Sequence, residues 1–219
     1  MMLYQPLAAL AARYAVQQST ARLPEFDHAV ANELIARLRQ LDWLLSQVGD
    51  LERLLIKEWE DENGPLQPDH NVVLVYLDEE TAAHATAPFS SQEEIRVFAE
   101  AFYYTAHRIL VILDQCHLSL PGLRKISAVY IRRIRNNLLE HANKEGGRPS
   151  YTFSVSNASG IRLRSAARSG EPDVYMDGGL RNNAKELAVE LEVVLAGAVT
   201  AEDNSHVASV VDTSANAGQ

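Results

Sequence analysis

The chain has 219 residues, 47% of them apolar, which suffices for one domain with a real core and leaves two domains cramped. Its single cysteine, Cys116, excludes an internal disulfide framework and a cysteine-rich metal site, and fits a reducing, cytoplasmic setting. The formal charge of −9 argues against a uniformly basic surface, and no apolar run approaches the ~20 residues that span a membrane.

The opening stretch lacks a basic start and carries Arg13 inside its apolar run, so it reads as a helix and not as a signal segment. An Ala-rich helix is expected over about Leu7 to Gln18, with Pro6 in its first turn, where the missing N–H costs nothing. After a connector containing Pro24, Asp27 is a suitable N-cap for a long helix on Val30, Leu34, Leu38, Leu41 and Leu45. Gly49 and Asp50 offer a break, after which Leu51, Leu54, Leu55 and Ile56 continue the pattern to about Glu60. The region is therefore either one kinked helix or two, ended by Asn63, Gly64 and Pro65. Val72 to Leu77 is an apolar run too short for its period to separate strand from helix, and it is read as a short helix or irregular packing segment. Ala82 to Pro88 reads as loop.

Ser90 or Ser91 followed three residues later by Glu93 or Glu94 forms a capping box. The helix it opens runs to about Cys116 on Ile95, Phe98, Phe102, Ala106, Ile109, Leu110 and Leu113. A short loop then leads into a helix from Pro121 to Lys144, whose apolar line is Leu123, Ile126, Tyr130, Ile134 and Leu138; the short connection makes the two antiparallel neighbours. Gly146, Gly147 and Pro149 stop it. Tyr151 to Val155 and Ile161 to Arg164 alternate around the turn residues Asn157 to Gly160, which predicts a hairpin with Arg162 and Arg164 on its exposed face. A final helix is expected from Arg181 to about Leu195, on Leu180, Ala184, Leu187, Leu191 and Val194. A disordered tail is expected from Gly197.

Charge is unevenly distributed. Between Arg124 and Arg168 ten basic residues face two acids, a local balance of +8, whereas the remainder holds ten basic and twenty-seven acidic residues. That asymmetry describes either an anion-binding surface or scattered solvated arginines paired with acidic helices. Phosphate-cradling Gly-rich loops, HExxH, paired CxxC and a nucleophile elbow are all missing from the sequence. The seven histidines show no metal-ligand spacing, so neither a metal nor a cofactor is expected.

What remains is the segment from Ile131 to His141, IRRIRNNLLEH. At ~100° per residue His141 falls nearly in line with Ile134, at the end of the inward face, and Arg135 sits on the shoulder of the same groove. Asn137, one turn before His141, can share its side. This pattern resembles the signature of the HEPN superfamily of α-helical bundles, an Arg followed by four to six residues and a His, often with Asn directly after the Arg. Here five residues intervene between Arg135 and His141, and Asn136 follows the Arg. The resemblance covers about Ser90 to Leu195.

The resemblance implies metal-independent RNA cleavage, or binding of RNA or a nucleotide in non-catalytic members, with two copies of the motif facing each other in a homodimer. RNA carries its own nucleophile, so His141 would serve as acid and base, and Arg135 would stabilise the charge developing on phosphate. Asn136 would orient one of them, with Asn137, Arg132, Lys144, Arg162 and Arg164 contacting substrate. Toxin or phage-defence roles occur in such a family. However, the Tyr that some members carry two residues beyond the His is replaced here by Asn143, so regulation through that Tyr is not expected. A purely structural role also fits: Arg135 paired to an acidic helix, Asn137 capping backbone, and His141 favoured by the helix dipole.

The expected fold is an all-α antiparallel bundle with a small β-hairpin inserted after the motif helix. Residues 1–89 form N-terminal helices packed as part of or against the bundle, residues 90–196 the core, and residues 197–219 the tail. The acidic N-terminal helices are a possible docking surface for a protein partner, in which case the bundle is an interaction scaffold; no membrane association is expected.

Overall fold

The computed structural model describes residues 2–20, 28–67, 72–75, 92–116, 118, 131–132, 134, 151–156, 160–165, 174–175 and 179–215. The chain is an all-α bundle with a small antiparallel β element. Its helices are α1 (Gln5–Thr20), α2 (His28–Asn63), α3 (Gln92–Gln115) and α4 (Leu180–Ala215). The strands are β1 (Val72–Val75), β2 (Tyr151–Ser156), β3 (Gly160–Ser165) and β4 (Val174–Tyr175).

Among the described residues, most apolar positions read from the sequence go inside, with one rotation on α2 and with Phe98 of α3 only partly buried. On α2, Leu34, Leu38 and Leu41 are buried as expected, but the face continues through Leu44, Val48 and Leu55, leaving Leu45 half-buried and Leu54 exposed. These steps of three and four keep one stripe inward over the whole helix, and α2 runs unbroken through Gly49. On α3, Ile95, Phe102, Ala106, Ile109, Leu110 and Leu113 are buried. They join Leu7, Ala8 and Ala11 of α1 and Leu180, Ala184, Leu187 and Leu191 of α4 in a continuous core. Each fully buried Leu in it contributes roughly 1.5–3 kcal/mol.

Two contacts fix the direction of each neighbouring pair. Ser19 meets His28 while Leu3 meets Asp42, so α1 and α2 are antiparallel. Glu33 meets Arg108 while Trp43 meets Phe98, so α2 and α3 are antiparallel as well. The amides that α1 leaves without intrahelical partners at its start are taken by α2: the Asp42 carboxylate accepts from Leu3 at 2.7 Å, Tyr4 at 3.0 Å and Gln5 at 2.7 Å. Tyr4 is fully buried and donates its hydroxyl to the Ala184 carbonyl at 2.8 Å, tying α1 to α4. Burial first, and the negative charge of Asp42 second, push its pKa well above the ordinary tyrosine range, so it remains a neutral donor.

The expected hairpin is present as β2 and β3, paired from Tyr151↔Ser165 to Ser156↔Gly160. It is extended on both sides into the order β1-β2-β3-β4, all antiparallel. Val72–Val75 is therefore a strand and not the short helix or irregular segment its length suggested. Its β-branched residues suit a pleated surface, and β2 offers an edge to pair with, from Val72↔Val155 to Val75↔Thr152. A second correction concerns the C-terminus. α4 continues to Ala215, twenty residues beyond the expected end at Leu195, because nothing after Gly197 breaks a helix and a lone glycine costs only about 1 kcal/mol. The expected disordered tail is helical over most of its length.

Candidate functional site

Of the site residues expected from the sequence, Arg135, Asn136, Asn137, His141 and Lys144 lie outside the described residues, as do the capping positions Asp27, Ser90 and Ser91. Three site residues lie within them. Ile131, Arg132 and Ile134 are helical; both isoleucines are fully buried in the core and Arg132 is exposed. Three-residue spacing places the two isoleucines on one side of that helix and Arg132 away from them. Ile134 is on the expected apolar line, whereas Ile131 is an inward residue that the line omitted.

Arg162 and Arg164 occupy alternate positions of β3, opposite Ser154 and Thr152 of β2. Arg162 is half-buried, not exposed as expected. The alternation of a strand fixes which residues share a face, but not whether that face is covered. On the other face, Ile161 and its cross-strand partner Val155 are fully buried.

The seat of this strand is a carboxylate the sequence reading passed over. Glu52 lies on the inward stripe of α2 between Val48 and Leu55 and is fully buried. Its Oε1 accepts the Ile161 N–H at 2.7 Å, and its Oε2 is paired with Arg181 at the start of α4. Gly160, directly before, has φ of +65°, and a Cβ there would lie 2.6 Å from Glu52 Oε1. Only glycine both adopts that backbone without strain and lets the carboxylate approach. One side chain thus joins α2, β3 and α4 and sets where β3 stands on the bundle. A Glu at an inward helical position is itself a signal in the sequence, since a buried carboxylate requires partners.

A second feature escaped the sequence reading. Between the start of α1, the outer face of α2 and the start of α4 runs a groove of about 750 Å³. Arg39, Trp43, Asp50 and Arg53 line it from α2, and Arg181 and Lys185 from α4. Trp43 is 53% exposed and makes an edge-to-face contact with Phe98, with ring centres 5.6 Å apart. Arg53 is paired with Asp50, while Arg39 and Lys185, both exposed, have no ionic partner among the described residues. The signal available was a tryptophan and two arginines on the polar side of an amphipathic helix.

Among the described residues no helix is long and apolar enough to cross a membrane, and no cluster of three or more His, Cys, Asp or Glu side chains forms a cage for a metal ion. No protein-family model matches the chain, and neither does any curated protein or solved structure.

Proposed function

We propose that this protein is a metal-independent endoribonuclease of HEPN type, acting in the cytoplasm as a homodimer. The observation that supports the reading is the seating of three residues at the start of the motif segment. Ile131 and Ile134 are in the core of a helical bundle and Arg132 is open to solvent. In this reading Arg135, three residues after Arg132, is the cation that meets the phosphodiester.

In the proposed reaction His141 removes the proton from a ribose 2′-hydroxyl, and the 2′-oxygen attacks the adjacent phosphorus. The bond from phosphorus to the 5′-oxygen breaks, leaving a 2′,3′-cyclic phosphate, and the departing oxygen takes a proton from the His141 of a second copy. Arg135, always charged and able to bind phosphate in a bidentate manner, stabilises the additional negative charge in the transition state. Asn136 orients the pair. Asn137, Arg132, Lys144, Arg162 and Arg164 hold the strand on either side of the scissile bond.

End-labelled RNA incubated with the protein in EDTA tests this. Cleavage with cyclic-phosphate ends is expected, reduced about 10²- to 10⁴-fold in His141→Ala. Intact RNA throughout, or cleavage unchanged by that substitution, overturns the reaction. RNA binding that persists without cleavage and weakens steeply with salt would leave an RNA- or nucleotide-binding module in its place. Absence of affinity in every form would leave an interaction scaffold.

A further inference from the structure

The outer stripe of α2 carries Arg39, Trp43, Ser46, Asp50 and Arg53 at steps of three and four, so all five look into the same groove. Its floor is low. Ser46 and Gly49 lie between the large residues, and a methyl group placed on Gly49 would meet nothing within 4 Å. Arg39 and Arg53 are separated by about 21 Å of helix, at ~1.5 Å per residue. Arg181 and Lys185 stand on the facing wall. Positive charge is therefore drawn out along a channel and does not converge on a single point.

The acids at and beneath the groove, Asp42, Asp50 and Glu52, offset most but not all of its four cations. Asp42 directs its oxygens to the first amides of α1, and Glu52 lies beneath the surface with both oxygens occupied. Asp50 holds Arg53 in a pair whose side chains are 58% and 73% exposed, an arrangement worth little and easily exchanged for another anion. Arg181 keeps 44% of its side chain exposed while bound to Glu52. Between these cations Trp43 presents about half of its surface, steadied by Phe98. Spaced cations along a channel with an exposed aromatic ring are the elements by which single strands are held: phosphates on the cations and a base on the ring. A mononucleotide would leave one end of the channel unused, and an acidic peptide would make no use of Trp43.

We propose that this groove binds a short single-stranded nucleic acid, its phosphodiesters on Arg39, Arg53, Arg181 and Lys185 and one base stacked on Trp43. The choice of RNA as its natural ligand rests on the ribonuclease reading above, whereas the groove uses no residue of the Arg135–His141 motif.

Fluorescence anisotropy of a labelled 12-nucleotide single-stranded RNA tests it on the full chain. Four phosphate contacts give a slope of log K against log salt of about −3. In the double variant Arg39→Ala, Lys185→Ala the slope is expected to fall to about −1.5, with binding at least about tenfold weaker at low salt. Both side chains are exposed, so folding is retained, and circular dichroism checks it. Trp43→Phe is expected to abolish most of the tryptophan quenching that RNA produces, leaving the signal of Trp59. Single-stranded DNA of the same length is expected to bind within about threefold, and the duplex at least about tenfold more weakly, because paired bases cannot stack on the ring. Absence of binding, unchanged affinity in the double variant, or a duplex bound as tightly as the single strand overturns the proposal. Binding lost in Arg135→Ala, His141→Ala but kept in the groove variant also overturns it, and leaves the ribonuclease reading intact. Groove-dependent binding without any cleavage supports the groove and removes the ribonuclease.

Discussion

Glu33 and Glu52 sit on the same helix, each meets an arginine from another helix, and their surroundings make them different objects. Glu33 is 30% exposed and accepts two hydrogen bonds from Arg108, both at 3.0 Å, with Arg37 of its own helix at 3.5 Å. Water can replace any of these partners. Glu52 has no exposure, and each of its oxygens has a donor: the Ile161 amide, which would be left stranded without it, and Arg181, which is partly exposed. An exposed pair of this kind aligns α2 with α3 but adds little to stability, whereas a buried carboxylate with committed donors is part of the architecture.

The largest effect should follow from removing the buried carboxylate. Glu52→Ala leaves the Ile161 N–H unsatisfied, frees Arg181 and opens a void, and is expected to cost about 3 kcal/mol in urea unfolding. Arg181 is partly exposed and can be rehydrated, which keeps the loss toward the lower end of what breaking a buried pair entails. Glu52→Gln retains an acceptor for the Ile161 amide and should lose about half as much. A loss under about 1 kcal/mol for the alanine variant would show that the two glutamates are alike after all.

Gly160→Ala comes next, at about 2 kcal/mol, since it combines a left-handed backbone with a methyl 2.6 Å from Glu52 Oε1. The same contact makes a sharper prediction. With Glu52 already shortened to Ala, most of the steric part vanishes, so the double variant should be more stable than the sum of the two single losses implies. Strict additivity would separate the glycine from the carboxylate and reduce its role to backbone conformation alone.

The contrast also marks what the sequence made legible. Most inward residues of α3, the first half of the α2 stripe, and the hairpin with its turn glycine follow from local periodicity and local turn chemistry, and there expectation and structure coincide; the second half of the α2 stripe is rotated. β1 was unreadable because Val72–Val75 becomes a strand only through the edge that β2, far along the chain, offers it. Arg162 was misjudged for a related reason, since the cover over a strand face comes from elsewhere in the fold. α4 outruns its amphipathic pattern, so period could not set its end at Ala215. Glu52 was the clearest missed signal, a charge on an apolar line. Of the candidate site, Arg132, Arg162 and Arg164 can be placed, while Arg135, Asn136, Asn137, His141 and Lys144 fall outside the described residues.

The smallest effect concerns Glu33, and pH isolates it. Hydrogen bonds from Arg108 hold its carboxyl below the ordinary glutamate range, against a smaller opposing push from desolvation and with added attraction from Arg108 and Arg37. A carboxyl that titrates lower in the folded than in the unfolded chain stabilises the fold above the unfolded value, and that contribution disappears as pH falls through the folded one. The gap in Tm between the parent and Glu33→Gln should therefore be full at neutral pH and close as the solution is acidified below about pH 4. Salt at about 1 M should narrow the neutral-pH gap as well, because the pair is open to screening. A gap that survives acid and salt would mean that Glu33 acts through shape and neutral hydrogen bonding, as a buried group does, and would erase the distinction from Glu52 that its exposure implies.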